Sequence, residues 1–371
     1  MQAIDKKTKL FAKIINVATP ILLAFIIAAI PIIFVKENPI QTYFILFSKT
    51  IFDGRSVLVI LHYGGPLLLA GLAIAISFKA GLFNMGIESS ILTSGFVVAI
   101  LGYRLGDLPS AVLIPLLLLV GIVVGVLTGL IPALLKAYFN INEMVVTLLL
   151  NYAIIIALEY LATYVFRDTS SGYVATHMIG INAIFKGIFD SPLTLFFLVA
   201  VTVFVIVWFM LKHTKLGIEI EAIGKNINFS EALGMSVRKK VIIIMLTSGA
   251  VAGLAGAGWM MSEKYIYTTS FSGNPGLGWD GMVISLLGNH NPIGIVFSTF
   301  FYSLLKVGGN EIGIYTNVPS DIINLIQALL ILFLSFKMIG DKKSKTYISL
   351  RNFLLRVDET KVDKKASKEV K

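Results

Sequence analysis

The chain has 371 residues, of which 56% are hydrophobic and only 14% are charged. Soluble domains have roughly 45–50% apolar and about 25% charged residues, so a soluble globular fold is excluded: too few polar residues remain to cover its surface. The absence of cysteine rules out disulfides and thiolate chemistry, and the four histidines show no metal-ligand spacing. The net charge of +10 is the basic excess that membrane proteins concentrate in cytoplasmic segments, so we expect no nucleic-acid partner.

Long apolar runs predict an all-α polytopic membrane protein, because about 20 apolar residues cross ~30 Å of hydrocarbon as a helix. The third predicted span carries Asn84 and Glu88 near its start, a pattern that allows a re-entrant segment. The eighth is too short to span alone and is broken before Pro292. The ten predicted spans are 14–35, 58–77, 82–101, 111–135, 143–166, 193–211, 241–261, 281–289, 293–306 and 318–337.

Lysine and arginine indicate the orientation, because they are enriched in cytoplasmic segments. Most of the 31 basic residues lie on one side when ten spans start from a cytoplasmic N-terminus, which also makes the C-terminus cytoplasmic. The predicted cytoplasmic segments are 1–13, 78–81, 136–142, 212–240, 290–292 and the basic tail 338–371, so the permease domain is 14–337. The longest external loop, 167–192, becomes weakly amphipathic from Ile179 to Ile188, a pattern that allows a helix on the membrane surface.

An internal repeat divides the spans into two groups. The sequence A-G-L-A occurs at 70–73 and again at 252–255, and the pattern G-L-x-x-x-G-[IM]-x-x-S-x-L follows at 81–92 and at 276–287. Five predicted spans per half would place the halves in opposite orientations, as in transporters whose substrate passes between inverted repeats beside broken helices. The glycine-flanked breaks therefore indicate the substrate path.

Polar residues at these breaks and in the fifth span are the candidate path residues, since polar groups at membrane depth are costly and often functional. They are Asn84, Glu88, Asn151, Asp280 and Asn289. Three have alternatives: Glu88 as a shallow residue beside Lys79, Asn151 as a donor in a helix–helix hydrogen bond, and Asp280 as the cap of a half-helix. No paired carboxylates or histidine clusters suggest a catalytic site.

The segment from Leu216 to Met235 predicts two short helices outside the membrane. The first ends at Gly224, and the second starts at Asn228 or Ser230 and ends at Gly234. Such a pair is suited to docking a cytoplasmic partner, the alternative being a solvated connector. The chain has no G-x-x-x-x-G-K-[ST] phosphate loop, so we expect ATP hydrolysis to reside in another subunit.

Four motifs in family order resemble ABC permeases of the branched-chain amino acid, ribose and nucleoside group. They are F-N-M-G-I-E at 83–88, N-E-M-V-V-T-L-L-L-N-Y at 142–152, the loop 221–235, and L-L-G-N-H-N-P-I-G at 286–294. The second resembles the nucleoside branch. The serines that follow Glu88 depart from the family, which usually has a glycine there.

This resemblance implies an ABC importer permease in a bacterial plasma membrane. Its expected partners are a cytoplasmic ATPase that uses ATP-Mg, a second permease subunit, and an extracytoplasmic binding lipoprotein that delivers nucleosides; no cofactor is bound by the chain itself. The third motif would lie in the coupling loop, 212–240, with Glu221, Gly224, Asn226, Glu231 and Gly234 as its candidate residues. A sugar or branched-chain amino acid permease, or an ion-coupled secondary transporter, remains an alternative.

Overall fold

The computed structural model describes residues 2–268, 276–319 and 321–335. The described chain is helical, as predicted, with isolated bridges such as Arg167–Thr176 and no strand in these ranges. The predicted tail 338–371 lies outside them. The helices are α1 (Gln2–Phe34), α2 (Pro39–Ile51), α3 (Gly54–Lys79), α4 (Ile87–Arg104), α5 (Ser110–Phe139), α6 (Glu143–Tyr160), α7 (Phe196–His213), α8 (Lys215–Lys225), α9 (Ile227–Ala232), α10 (Val237–Trp259), α11 (Leu277–Leu287), α12 (Pro292–Tyr315) and α13 (Ile322–Ser335). A π-helical turn extends α6 at Leu161–Val165 and another extends α10 at Met260–Lys264.

Among the described residues, six helices are long and apolar enough to cross a membrane: α3, α5, α6, α7, α10 and α12, with α6 and α10 counted together with their π-helical turns. They match the second, fourth to seventh and ninth predicted spans. The predicted third span is α4, which starts with the polar residues Glu88, Ser89 and Ser90, while α11 and α13 are shorter apolar helices. The polytopic helical architecture is confirmed, and the number of ten spans stays a prediction.

The N-terminal region differs from the prediction. The expected first span, 14–35, is part of the longer α1, and the sequence reading missed α2. The apolar part of α1 and α2 meet at a bend of 115°. Helix α2 was missed because Gln41, Ser48 and Lys49 interrupt its apolar residues, so no run reaches the length of a span.

The chain forms two compact units, one of residues up to Phe44 and from Ile312 onward, the other Ile45–Glu311. In the first unit α1 packs against α13. The Tyr43 hydroxyl donates a hydrogen bond to the Phe25 carbonyl at 2.6 Å, and the Asn317 side chain donates one to the Glu37 carboxylate at 2.9 Å. The first bond joins α2 to α1, and the second ties the α1–α2 bend to the segment that precedes α13.

In the second unit, α3 and α10 are central. In the most apolar 18-residue stretch of each of these two helices, 72% is buried. The corresponding share is 22% for α5 and α7 and 17% for α6. Outward faces of the peripheral helices carry side chains such as Leu127 and Ile156, which are more than half exposed. Such faces suit contact with lipid, because burying apolar surface from water requires either protein or hydrocarbon around it.

Helices α5 and α10 approach each other through backbone rather than side chains. A Cβ atom built on Gly125 would lie 2.1 Å from the Gly249 carbonyl oxygen, and one on Gly253 would lie 2.1 Å from the Gly121 carbonyl oxygen. Small residues four apart let membrane helices pack at this range. Glycine is therefore required at these positions by the space between the helices.

The two copies of the sequence repeat occupy corresponding places. The first glycine of each pattern, Gly81 and Gly276, has a left-handed backbone with φ of 72° and 78°. Helix α3, with the first A-G-L-A, packs on α11, while α10, with the second, packs on α4. The copies differ after this glycine, since five residues, 82–86, separate Gly81 from α4 but α11 begins directly after Gly276.

Four segments predicted to share the cytoplasmic side lie at one end of this second unit. The α3 end contacts α8, because a Cβ atom on Gly224 would lie 2.0 Å from the Lys79 carbonyl oxygen. The Phe78 ring lies 5.5 Å from the His290 ring in the α11–α12 turn, and Glu143 joins the same end by accepting a hydrogen bond from the Phe83 amide at 3.2 Å.

The predicted external loop crosses the opposite end of the unit. The surface helix expected at Ile179 to Ile188 is wrong: only short 3₁₀ turns form, at Ile181–Ala183 and Ile188–Asp190. The segment donates its amides to the bundle instead, Ile179 to the Tyr265 carbonyl at 3.0 Å and Phe185 to the Met261 carbonyl at 3.0 Å. Backbone groups used in this way cannot form a helix ladder.

Candidate functional site

Glu88 lies in the first turn of α4 and is buried, with 1% of its surface exposed. Its carboxylate accepts hydrogen bonds from the amides of Gly276, at 3.2 Å, and Gly278. Free amides at a helix start favour a negative partner, so Glu88 of α4 caps α11. The expectation that Asp280 caps this helix is therefore wrong. Burial also shows that the Glu88 carboxylate is not solvated, while a shallow position beside Lys79 stays an alternative.

The buried side-chain amides of two asparagines hold the irregular segment that precedes α4 in place. Asn151 of α6 accepts a hydrogen bond from the Ser89 amide at 3.2 Å and donates one to the Met85 carbonyl at 2.8 Å. Asn84 donates to the Ser248 hydroxyl of α10 at 3.4 Å. Non-helical backbone at membrane depth needs such partners. Asn151 thus bonds between segments, in line with the alternative that its sequence context left open.

Asp280 points to α12 rather than to the start of its own helix. Its carboxylate accepts a hydrogen bond from the Tyr302 hydroxyl at 2.5 Å and pairs with the Lys306 ammonium at 3.2 Å. Tyr302 is 1% exposed. Charged groups among apolar helices are costly and commonly mark a polar route, so this pair indicates a hydrophilic region between α11 and α12.

One face of α12 is polar along two turns. Residues three or four apart share a helix face, and this face, here called the α12 polar face, consists of Thr299, Tyr302, Ser303 and Lys306. Sequence reasoning missed this face, although all four residues lie within the predicted ninth span, 293–306. The polar spacing was the available signal.

Trp259 lies at the end of α10 beside this face. The ammonium of Lys306 lies 5.8 Å from its ring centroid and that of Lys264 lies 5.6 Å away, while the Tyr63 ring is 6.2 Å distant. The residue is buried, with 3% of its surface exposed. A π-helical turn follows it, a feature often found at functional sites.

Three buried polar atoms around this point have no hydrogen-bond partner in the described part of the chain: Trp259 Nε1, Thr299 Oγ1 and Ser303 Oγ. Gly64 of α3 faces the two hydroxyl-bearing side chains, since a Cβ atom there would lie 3.7 Å from Ser303 Oγ and 3.7 Å from a Thr299 methyl carbon. Native interiors pair nearly all buried polar groups. Three unpaired polar atoms in one buried region are therefore unusual and call for a polar partner.

A second polar cluster lies nearer the end covered by the external loop. His62 is 3.0 Å from the Glu263 carboxylate and 3.2 Å from the Thr194 hydroxyl. The Tyr63 hydroxyl donates to the same carboxylate at 3.0 Å. These contacts join the start of α3, the π-helical turn after α10 and the end of the external loop.

Asn289 lies apart from the other candidate path residues. It is exposed, with φ of 52°, in the turn between α11 and α12, and its amide donates to the Leu286 carbonyl at 3.0 Å. The structure therefore brings Glu88, Asn84 and Asn151 together around the break that precedes α4. It places Asp280 just beyond Gly278, and it leaves Asn289 at the end of the unit that carries α8.

The predicted pair of short helices is confirmed as α8 and α9, with different boundaries. Gly224 lies inside α8, and Asn226 ends α8 and caps α9, accepting a hydrogen bond from the Phe229 amide at 3.0 Å. Exposed Glu221 pairs with Lys225 at 2.8 Å, and this hydrogen bond lowers the pKa of Glu221 below its usual value.

The outer surface of this pair is exposed and partly apolar. Phe229 and Leu233 are each 61% exposed, beside exposed Glu231, and Gly234 closes the segment with φ of 80°. Exposed apolar patches of this kind mark contact surfaces. Gly224 anchors the pair to the end of α3, because its close approach to the Lys79 carbonyl leaves no room for a side chain.

Comparison with known proteins identifies relatives along most of the chain. The family described as "Branched-chain amino acid transport system / permease component" matches residues 56–335. The nucleoside ABC transporter permease protein NupB of Lactococcus lactis subsp. cremoris is 30% identical over 332 residues, which are 86% of this chain and 90% of NupB.

Two further relatives carry different substrate names. The guanosine ABC transporter permease protein NupP of Bacillus subtilis is 33% identical over 73% of this chain and 78% of its own length. The glucose ABC transporter permease protein TsgB13 of Haloferax volcanii is 29% identical over 85% of each chain. No solved structure matches the chain significantly.

Proposed function

The chain belongs to the family of permease components of branched-chain amino acid transport systems, and we propose that it is the membrane subunit of an ATP-driven importer of nucleosides. The observation that carries the proposal is the exposed α8–α9 pair, which packs against a helical bundle that contains the buried α12 polar face. A chain without a phosphate loop needs a partner to hydrolyse ATP, and this pair offers the surface to dock it.

The nucleoside substrate is supported by two of the relatives, one named for nucleosides and one for guanosine. A binding lipoprotein on the outer side would deliver the substrate. A second permease subunit would complete the path, and ATP-Mg would be bound by the ATPase. The buried residues Asn84, Glu88, Asn151 and Asp280 would border the path, and Asn289 its cytoplasmic mouth.

The protein would lie in a bacterial plasma membrane with both termini in the cytoplasm. Ten spans in two inverted five-helix halves agree with the corresponding places of α3 and α10 and with the matching left-handed glycines. The basic segments gathered at the α8–α9 end support a cytoplasmic position for that end.

A chain of contacts explains how the ATPase would act on the path. Gly224 of α8 touches the Lys79 carbonyl at the end of α3, and the irregular segment that begins just after it leads to Glu88. Glu88 in turn holds the first residues of α11. Movement of α8 would therefore reach both broken segments, and the two halves would open to alternate sides of the membrane.

The experiment reconstitutes the permease with its ATPase, second permease and binding protein in proteoliposomes and measures ATP-dependent uptake of labelled guanosine. We expect uptake that Gly224→Leu and Glu231→Lys abolish, together with loss of ATPase copurification. Gly54→Ala is the matched control, because nothing lies within 4 Å of a Cβ atom there. Normal uptake and normal complex assembly in both variants would contradict this role of the α8–α9 pair.

A sugar permease is the second candidate, favoured by the glucose-named relative of similar identity. Competition of guanosine uptake by ribose or glucose separates the two. An ion-coupled transporter is a third reading, and uptake that stops with a proton uncoupler at unchanged ATP would favour it.

A further inference from the structure

The unpaired atoms beside the α12 polar face are chemically specific. The indole Nε1–H of Trp259 is a donor only, whereas the hydroxyls of Thr299 and Ser303 both donate and accept. All three side chains are at least nine-tenths buried, with exposures of 3%, 4% and 0%. A ligand that pairs with them must therefore present an oxygen or nitrogen acceptor to the indole and can present either donors or acceptors to the two hydroxyls, which ligand hydroxyl groups do.

The ionisable groups next to these atoms already have partners. Asp280 pairs with Lys306, and Glu263 is held by His62 and Tyr63. A charged ligand entering this buried region would need an opposite charge to offset its lost hydration. Within the described residues the neighbouring carboxylates are used internally, so the site disfavours a cationic ligand.

The ring of Trp259 also contacts cations. Two lysine ammonium groups lie within 6 Å of its centroid, a distance at which cation–π attraction operates. The edge bearing Nε1 is the part left without a partner. Trp259 thus has an unpaired hydrogen-bond donor beside a ring that already contacts two cations.

We propose that Trp259 Nε1 and the hydroxyls of Thr299 and Ser303 form a site inside the membrane region that binds the sugar hydroxyls of an uncharged nucleoside on its way through. This inference rests on the proposed function and assigns these side chains to the choice of substrate. A buried site made to bond a hydroxyl rejects an analogue lacking that hydroxyl, because the protein groups are then left unpaired.

The test uses the complete transporter in proteoliposomes with one unchanged binding protein and compares inosine with 2′,3′-dideoxyinosine. For each permease variant the preference is the ratio of kcat/KM for the two nucleosides. Because the binding protein is the same throughout, a change in this ratio belongs to the permease. We expect Ser303→Ala, Thr299→Val and Trp259→Phe each to lower the ratio about three- to tenfold, the effect of one lost uncharged hydrogen bond.

Matched controls are Thr202→Val, whose hydroxyl bonds the Leu198 carbonyl within exposed α7, and Trp208→Phe, where Lys212 lies over the ring at 5.4 Å. Both should keep the ratio of the parent protein. If Trp259→Phe does not assemble, the two hydroxyl variants decide the matter. An unchanged ratio in assembled Ser303→Ala and Thr299→Val overturns the inference and leaves nucleoside import standing. A parent complex that imports no nucleoside overturns the proposed function itself.

Discussion

At the scale of single residues, Glu88 shows why a carboxylate can be stable among apolar helices. An unpaired buried charge is strongly destabilising, but two amides at the start of α11 bind this one. The same bonds satisfy α11, whose own cap position, Gly276, has no side chain to do so. The carboxylate and the amides at the start of α11 therefore offset each other's free-energy cost of burial.

Replacing Glu88 should therefore damage both helices. We expect Glu88→Ala to lower the free energy of unfolding by about 3 kcal/mol, because hydrogen bonds to charged groups are worth roughly 1.5–3 kcal/mol each. Glu88→Gln, which keeps an acceptor oxygen, should lose less. The measurement is thermal unfolding in detergent.

Glu159→Ala is the control for this change, since Glu159 is exposed on α6. Its unfolding temperature should match that of the parent protein. Equal loss in Glu88→Ala and Glu159→Ala would show that the junction with α11 does not stabilise the fold.

At the scale of helices, the space between α5 and α10 differs from one glycine of α5 to the next. A Cβ atom on Gly125 would meet the Gly249 oxygen at 2.1 Å, whereas one on Gly129 would lie 3.3 Å from the Met245 oxygen. The two positions belong to the same helix and face the same partner, so they differ chiefly in the space available.

We expect Gly125→Ala to destabilise the protein by about 1–3 kcal/mol, the usual cost of overpacking. Gly129→Ala should be close to neutral, because alanine is the better helix former and its contact is only slightly tight. Unfolding temperature and yield of folded protein would be compared for the two. A larger loss for Gly129→Ala would mean that backbone approach does not govern this interface.

At the scale of the whole molecule, the lack of cysteine permits a direct test of orientation. We expect Tyr173→Cys, in the external loop, to react with a membrane-impermeant maleimide added to intact cells. Glu231→Cys on α9 should react only after the cells are permeabilised. Both positions are exposed, so a difference in labelling reports the side of the membrane. Labelling of Glu231→Cys in intact cells would contradict a cytoplasmic α8–α9 pair.

The sequence predicted features set by local composition. Apolar runs gave the positions of most membrane helices, and glycine and asparagine located the α8–α9 pair to within a few residues. It did not predict α2, whose mixed composition resembles a loop. The sequence also did not predict that Glu88 would cap α11 in place of Asp280. The identity of the capping residue depends on which carboxylate the folded chain brings to Gly276 and Gly278. The α12 polar face lies between these cases, because its polar spacing is visible in the sequence but the groups that it faces are set by the fold.

The capping of α11 by Glu88 also bears on how the protein is made. The carboxylate and its two amide partners are separated by 188 and 190 residues in the chain. At about 5–20 residues per second, synthesis of that stretch takes roughly 10–40 s. During this time the early half holds a polar group whose partners do not yet exist. Glu88 must then stay hydrated or bind the insertion machinery, and the first half reaches its final arrangement only after the second has arrived.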